Sequence, residues 1–203
     1  TVLDSAGGII EQRDSKGALT LHSYDNLNRP LQLWARDGRD QKLTLRERLE
    51  YGDAGHTNQP ADERAASQAM NSLGKPIRHF DEAGQLTFDS YDFKGNLLDK
   101  TRRVISDTAI LGVFNPPPPG WKVEAFRVDW DNPAATPLDS QTYTSTVSYD
   151  ALNRIKVMIY PEDVENQRRK LIPHYNRAGA LERVVLERNG LGGGTVSEIF
   201  IER

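Results

Sequence analysis

The chain has 203 residues, with 26 basic and 29 acidic side chains interspersed to a net charge of −3, and it contains no cysteine. That balance leaves no polybasic stripe, so neither a nucleic-acid partner nor membrane contact is indicated, and no apolar run approaches the roughly 18 residues of a membrane helix. A hydrophobic fraction of 37% with a mean hydropathy of −0.64 suits a sheet with one wetted face better than a thick globular core.

In chain order the dominant feature is a repeated phrase. Asp or Asn is followed three residues later by Gly or Asn, then by an apolar residue. The phrase is partial at Leu3-Asp4 to Gly7, then full at Asp14 to Gly17, and at Tyr24-Asp25 with Asn28. It returns at Phe80-Asp81 with Gly84, Tyr91-Asp92 with Gly95, Tyr149-Asp150 with Asn153, and Tyr175-Asn176 with Gly179. Asp14 to Asp25 is eleven residues, as is Asp81 to Asp92.

This is turn chemistry. The Asx side chain accepts a backbone N–H two residues on, and Gly or Asn takes the positive φ that other residues resist. An eleven-residue pitch leaves about five to seven residues per strand.

Between the phrases, alternation places Leu43, Leu45, Leu49 and Tyr51 on one face of a strand. Period two also predicts strands over 154–160 and over 124–130, where Glu124, Phe126, Val128 and Trp130 share a face. One short helix is predicted near 60–73, with Pro60 in its first turn and Gly74 as its cap. Residues 112–120 and 131–140 read as loops, with Pro116 to Pro119 as extended polyproline, and 190–194 as a glycine-rich hairpin loop. Thr1 in place of Met, inside a repeat-like phrase, leads to the expectation of a single β-domain over 1–203 cut from a much larger protein.

Nothing convergent points to catalysis. Aspartates that recur at every turn serve turns, whereas an active site needs one constellation. The histidines at 22, 56, 79 and 174 are scattered, so no metal site or cofactor is expected.

With His79-Phe-Asp-Glu-Ala-Gly84, Tyr91-Asp-Phe-Lys-Gly-Asn-Leu-Leu98, Arg102-Arg-Val-Ile105, Tyr149 to Arg154 and Tyr175 to Arg183 in this order, the chain resembles the Rhs/YD-repeat superfamily. It is most similar to the repeat region of the B component of bacterial tripartite insecticidal toxin complexes. That resemblance implies an all-β fold: a curved antiparallel sheet of hairpins forming a segment of a spiral shell.

It further implies a secreted, non-catalytic role in encapsulating and helping to deliver a toxin polypeptide. The implied partners are other segments of the same shell and a C-type toxin component. The family's self-cleaving aspartyl protease motif has no counterpart here. The alternative reading is a carbohydrate-binding surface built from repeated aromatics, although cross-strand packing explains the same residues.

Overall fold

A computed structural model describes residues 1–54, 59–116, 119–121, 123–189 and 195–202. Its fold is all-β. Among the described residues thirteen strands follow one another in sheet order as they do in sequence. They are β1 (Val2–Leu3), β2 (Ile9–Arg13), β3 (Leu19–Tyr24), β4 (Pro30–Arg36), β5 (Thr44–Tyr51), β6 (Pro76–Asp81) and β7 (Gly84–Tyr91). Then come β8 (Leu97–Val104), β9 (Tyr143–Tyr149), β10 (Ile155–Glu162), β11 (Arg168–Tyr175), β12 (Leu181–Asn189) and β13 (Thr195–Glu202). Every pair whose register is defined is antiparallel. Successive hairpins can build this order because each strand needs only its chain neighbour.

The contacts divide into two compact units, one of residues 1–87 with 102–142, the other of 88–101 with 143–203. In the first unit, Leu45, Phe80, Ile105, Val128 and Trp130 form a buried cluster, flanked by Trp34, Phe126 and Leu138. The rings of Phe80 and Trp130 lie 5.0 Å apart at 57°, within the tilted geometry that aromatic pairs favour. In the second unit Val184 and Tyr91 are the buried apolar residues among those described, and burial pushes the Tyr91 phenol up to about 12.

Three expectations are corrected here. Residues 124–130 are not a strand. They form an irregular segment tied down by the Trp130 N–H donating to the Leu45 carbonyl at 3.0 Å. Their alternation is real, because an extended segment lying on a core also turns alternate side chains inward, but it makes no ladder.

Leu45 and Leu49 do not serve one face. The register slips between Leu33↔Glu47 and Trp34↔Leu45, leaving Arg46 as the extra residue of a bulge. Leu45 consequently enters the buried cluster, whereas Leu49 lines a separate crevice with Leu31 and Ile77. Arg46 is buried, and is held by Thr44 Oγ1 at 2.7 Å and Glu82 at 2.5 Å.

The helix, α1, spans Ala61–Ala69, and Asn71 rather than Gly74 ends it. Asn71 takes φ 55°, its N–H reaches the Gln68 carbonyl, and the Ser72 N–H reaches Ser67. This pair of bonds is the Schellman closure. Gly74, at φ 74°, lies in the turn beyond.

Between β8 and β9 a second short helix, α2 (Asp107–Leu111), precedes the first expected loop, and the two loops carry 3-10 turns at 112–114, 119–121 and 133–135. The Asn115–Pro116 peptide is cis. Pro117 and Pro118, the centre of the expected polyproline run, lie outside the described residues, as do His56 and the glycine-rich 190–194 loop.

Candidate functional site

The repeat turns are the feature that recurs, and their geometry can be built from one example. At Asp25 the backbone N–H donates to the Arg29 carbonyl at 2.9 Å, and the Asn28 N–H returns to the Asp25 carbonyl at 2.9 Å. The carboxylate Oδ1 accepts the N–H groups of Leu27 and Arg29, both at 2.9 Å. Asn28 closes the turn at φ 59°.

The same backbone and side-chain bonds recur at Asp14 with Gly17, Asp92 with Gly95, Asp150 with Asn153, and Asn176 with Gly179, and at the partial Asp4 phrase with Gly7. They recur again at Asp163 with Asn166, a turn the sequence reading missed. There a glutamate precedes the Asp and Arg168 replaces the aliphatic residue, so only the Asp-to-Asn spacing could have revealed it.

Phe80-Asp81 with Gly84 shares the phrase but not the turn. Asp81 pairs directly with Gly84 across a tight two-residue connection, and Gly84 sits at φ 132°. The Asp81 carboxylate accepts Ala83 N–H at 2.8 Å and a forked pair of bonds from Arg102 at 2.7 and 2.9 Å. Phe80 points into the buried cluster instead of flanking a turn.

The tyrosines do something the turn alone would not suggest. Tyr24 ends β3, and its hydroxyl donates to the carbonyl of Ile9, the first residue of β2, at 3.0 Å. Tyr51 ends β5 and donates to Pro30, the first residue of β4, at 3.0 Å. Tyr175 ends β11 and donates to Ile155, the first residue of β10, at 3.1 Å. Each tie fastens the open end of a hairpin whose other end is the turn. Tyr91 and Tyr149 likewise occupy the last positions of β7 and β9.

Arginine completes the arrangement, and sequence reasoning did not single it out. Arg29 bonds Asp25 through Nε at 2.7 Å, reaches Asp53 at 2.8 Å, and lies 4.0 Å from the Tyr51 ring centroid. Arg154 bonds Asp150 at 2.7 Å and lies 4.4 Å from the Tyr175 ring. Both stand four residues after the turn aspartate, so an Asp-x-x-Asn-Arg pattern was the available signal. In the second unit neighbouring turns are further joined by Lys94 donating to the Ala151 carbonyl at 2.7 Å and by Asn96 to Asn153 at 3.2 Å.

These bonds set the carboxylates. Burial would raise Asp25, but the hydrogen bonds from Arg29 and Leu27 outweigh it and bring the group below its ordinary value. Arg154, through backbone then side chain, lowers Asp150, and the Gln167 and Glu165 N–H groups lower Asp163. A depressed folded-state pKa stabilises above the ordinary value of 3.8, and that stabilisation is lost as pH falls below it.

Asn176 makes the turn without a charge. Asp25→Asn combined with Asp150→Asn should therefore keep the fold at neutral pH while flattening its loss of stability between pH 4 and 3. Urea unfolding at both pH values checks this, and an unchanged acid slope would remove these carboxylates as its source.

Among the described residues no group of three or more His, Asp or Glu side chains could hold a metal, and no helix is long and apolar enough to cross a membrane. The arrangement's chemistry is cohesive: donors, acceptors and rings are consumed within the sheet.

No family model and no curated protein sequence matches the chain. Solved structures do. The TcdB2–TccC3 complex without its hypervariable C-terminal region aligns over 100% of this chain with a TM-score of 0.68 at 18% identity. This chain resembles the TcdB2–TccC3 toxin-complex chains in fold. A second TcdB2–TccC3 crystal structure aligns over 98% with a TM-score of 0.67 at 19% identity. The pore form of the Photorhabdus luminescens Tc holotoxin aligns over 99% with a TM-score of 0.67 at 18% identity. In each case this chain spans 8% of the length of the TcdB2–TccC3 or holotoxin chain it matches.

Proposed function

We propose that this chain is a non-catalytic wall segment of a secreted toxin-complex shell, one that encloses a toxin polypeptide and helps deliver it. The observation that carries the reading is the repeated hairpin, closed by an Asx turn at one end and a tyrosine tie at the other. A side-chain inventory spent on holding strands together suits a wall, and the fold likeness to TcdB2–TccC3 points the same way. On this reading its partners are the flanking strands of the same shell and a C-type component, and the whole of 1–203 is one repeat tract.

The test is a cryo-electron microscopy reconstruction of the full open reading frame co-expressed with its C-type partner. Hairpins 1–203 lining a closed wall around polypeptide density are expected. A folded segment projecting away from any enclosure would sink the proposal.

The alternative, carbohydrate binding through the repeat tyrosines, meets a physical difficulty. The hydroxyls of Tyr24, Tyr51 and Tyr175 already donate within the sheet, and arginines cover the Tyr51 and Tyr175 rings. Glycan-array binding abolished by Tyr→Ala changes would nevertheless favour it.

A further inference from the structure

Helix α1 is attached to the first unit at its ends and hollow beneath its middle. At one end Gln59 Nε2 donates to the Gly52 carbonyl at 2.8 Å. At the other, buried Ser72 bonds the Ser67 carbonyl through N at 2.9 Å and Oγ at 3.1 Å. Gly52 N–H bonds Lys75, and a side chain at Gly52 would strike the Ser72 carbonyl.

Yet no residue of the helix is buried. Over the sheet it presents Glu63 together with Ala66 and Ser67, the last two too short to interdigitate with Leu31, Leu49 and Ile77 below. The gap is a crevice of about 510 Å³, within the range of small-molecule sites. A packed helix–sheet interface normally leaves no such space.

A second observation selects the ligand chemistry. Gln59 Oε1, on the crevice wall, is buried and has no donor among the described residues. Buried acceptors are ordinarily satisfied, so this one calls for an N–H or O–H from whatever fills the space. On the lining Glu50 is paired with Arg78 at 2.7 Å, and Glu63 adds a further carboxylate, so an anionic ligand is disfavoured.

We infer that the crevice under α1 is a binding site for a small non-anionic amphiphile, an apolar body carrying one hydroxyl that donates to Gln59 Oε1. The Tyr51 ring, fixed by its tie to Pro30 and by Arg29, forms part of its wall. The inference stands independently of the shell proposal.

Calorimetric titration of the chain with 4-butylphenol and with 4-butylanisole, its methyl ether, tests it. Saturable one-to-one binding of the phenol is expected, with the ether, which cannot donate, about tenfold weaker. Gln59→Leu should bring the two ligands together. Ala66→Phe, which fills the crevice from an exposed helix position, should abolish both while leaving the circular dichroism spectrum unchanged. Leu49→Phe makes the same test from the sheet side should Ala66→Phe fail to fold. No saturable binding, equal affinity for phenol and ether, or binding that survives the filling variant would each overturn the inference.

Discussion

Replacing Gly84 with valine is expected to cost about 2–6 kcal/mol, combining left-handed-side backbone strain with overpacking against main chain. Gly84 sits at φ 132°, and a Cβ there would collide with the Arg103 carbonyl oxygen and crowd Val104 Cα. Backbone atoms of a paired strand cannot swing aside as a flexible side chain can. Gly95, by contrast, is a plain turn glycine at φ 92°. Gly95→Val should cost only about 1–3 kcal/mol from φ alone. Gly95→Asn should be near neutral, because Asn28, Asn153 and Asn166 hold the same place at φ 58–60°. Urea unfolding of the three variants measures the order, and equal losses for both valines would show that the Arg103 contact relaxes freely.

Trp130→Ala is expected to destabilise the first unit by about 3–5 kcal/mol, the usual cost of removing a large buried aromatic. The residue is 3% exposed, packs on Phe80, and donates its Nε1–H to the Asp81 carbonyl at 3.2 Å. Losing it would empty the cluster that Leu45, Ile105 and Val128 share, and would leave that carbonyl without its donor. Amide hydrogen exchange should show β5 and β6 losing protection while β10 to β12 keep theirs. Uniform loss along all strands would mean that the two compact units unfold as one.

How much of this was readable beforehand follows from what kind of information each feature uses. The Asx turns were legible because their hydrogen bonds span four residues and need residue types of narrow choice. The strands between them followed from spacing. The tyrosine ties were not legible, since Tyr24 to Ile9 joins residues whose proximity exists only once β2 and β3 are paired.

The Arg46 bulge escaped for a related reason. Periodicity is blind to a single inserted residue that flips the faces downstream, and only the register with β4 exposes it. Gly74 was mistaken for the cap because glycine is the usual left-handed residue, yet Asn71 reaches that conformation three residues earlier. Residues 131–140 were read by composition as loop, although Thr136 is among the most buried side chains of the described residues.

A two-stranded ribbon ordinarily peels from its open end, where the last rungs have nothing beyond them to share the strain. The hairpins of β2 with β3, β4 with β5, and β10 with β11 have no such end, since a phenol bridges the gap opposite each turn. Each behaves as a closed ring, and unzipping it requires a rupture at the bridge before the first rung can part. Pulled at the turn or at the tail, these ribbons should therefore yield in one abrupt event, at a force that Tyr→Phe substitution lowers without moving the position of the break.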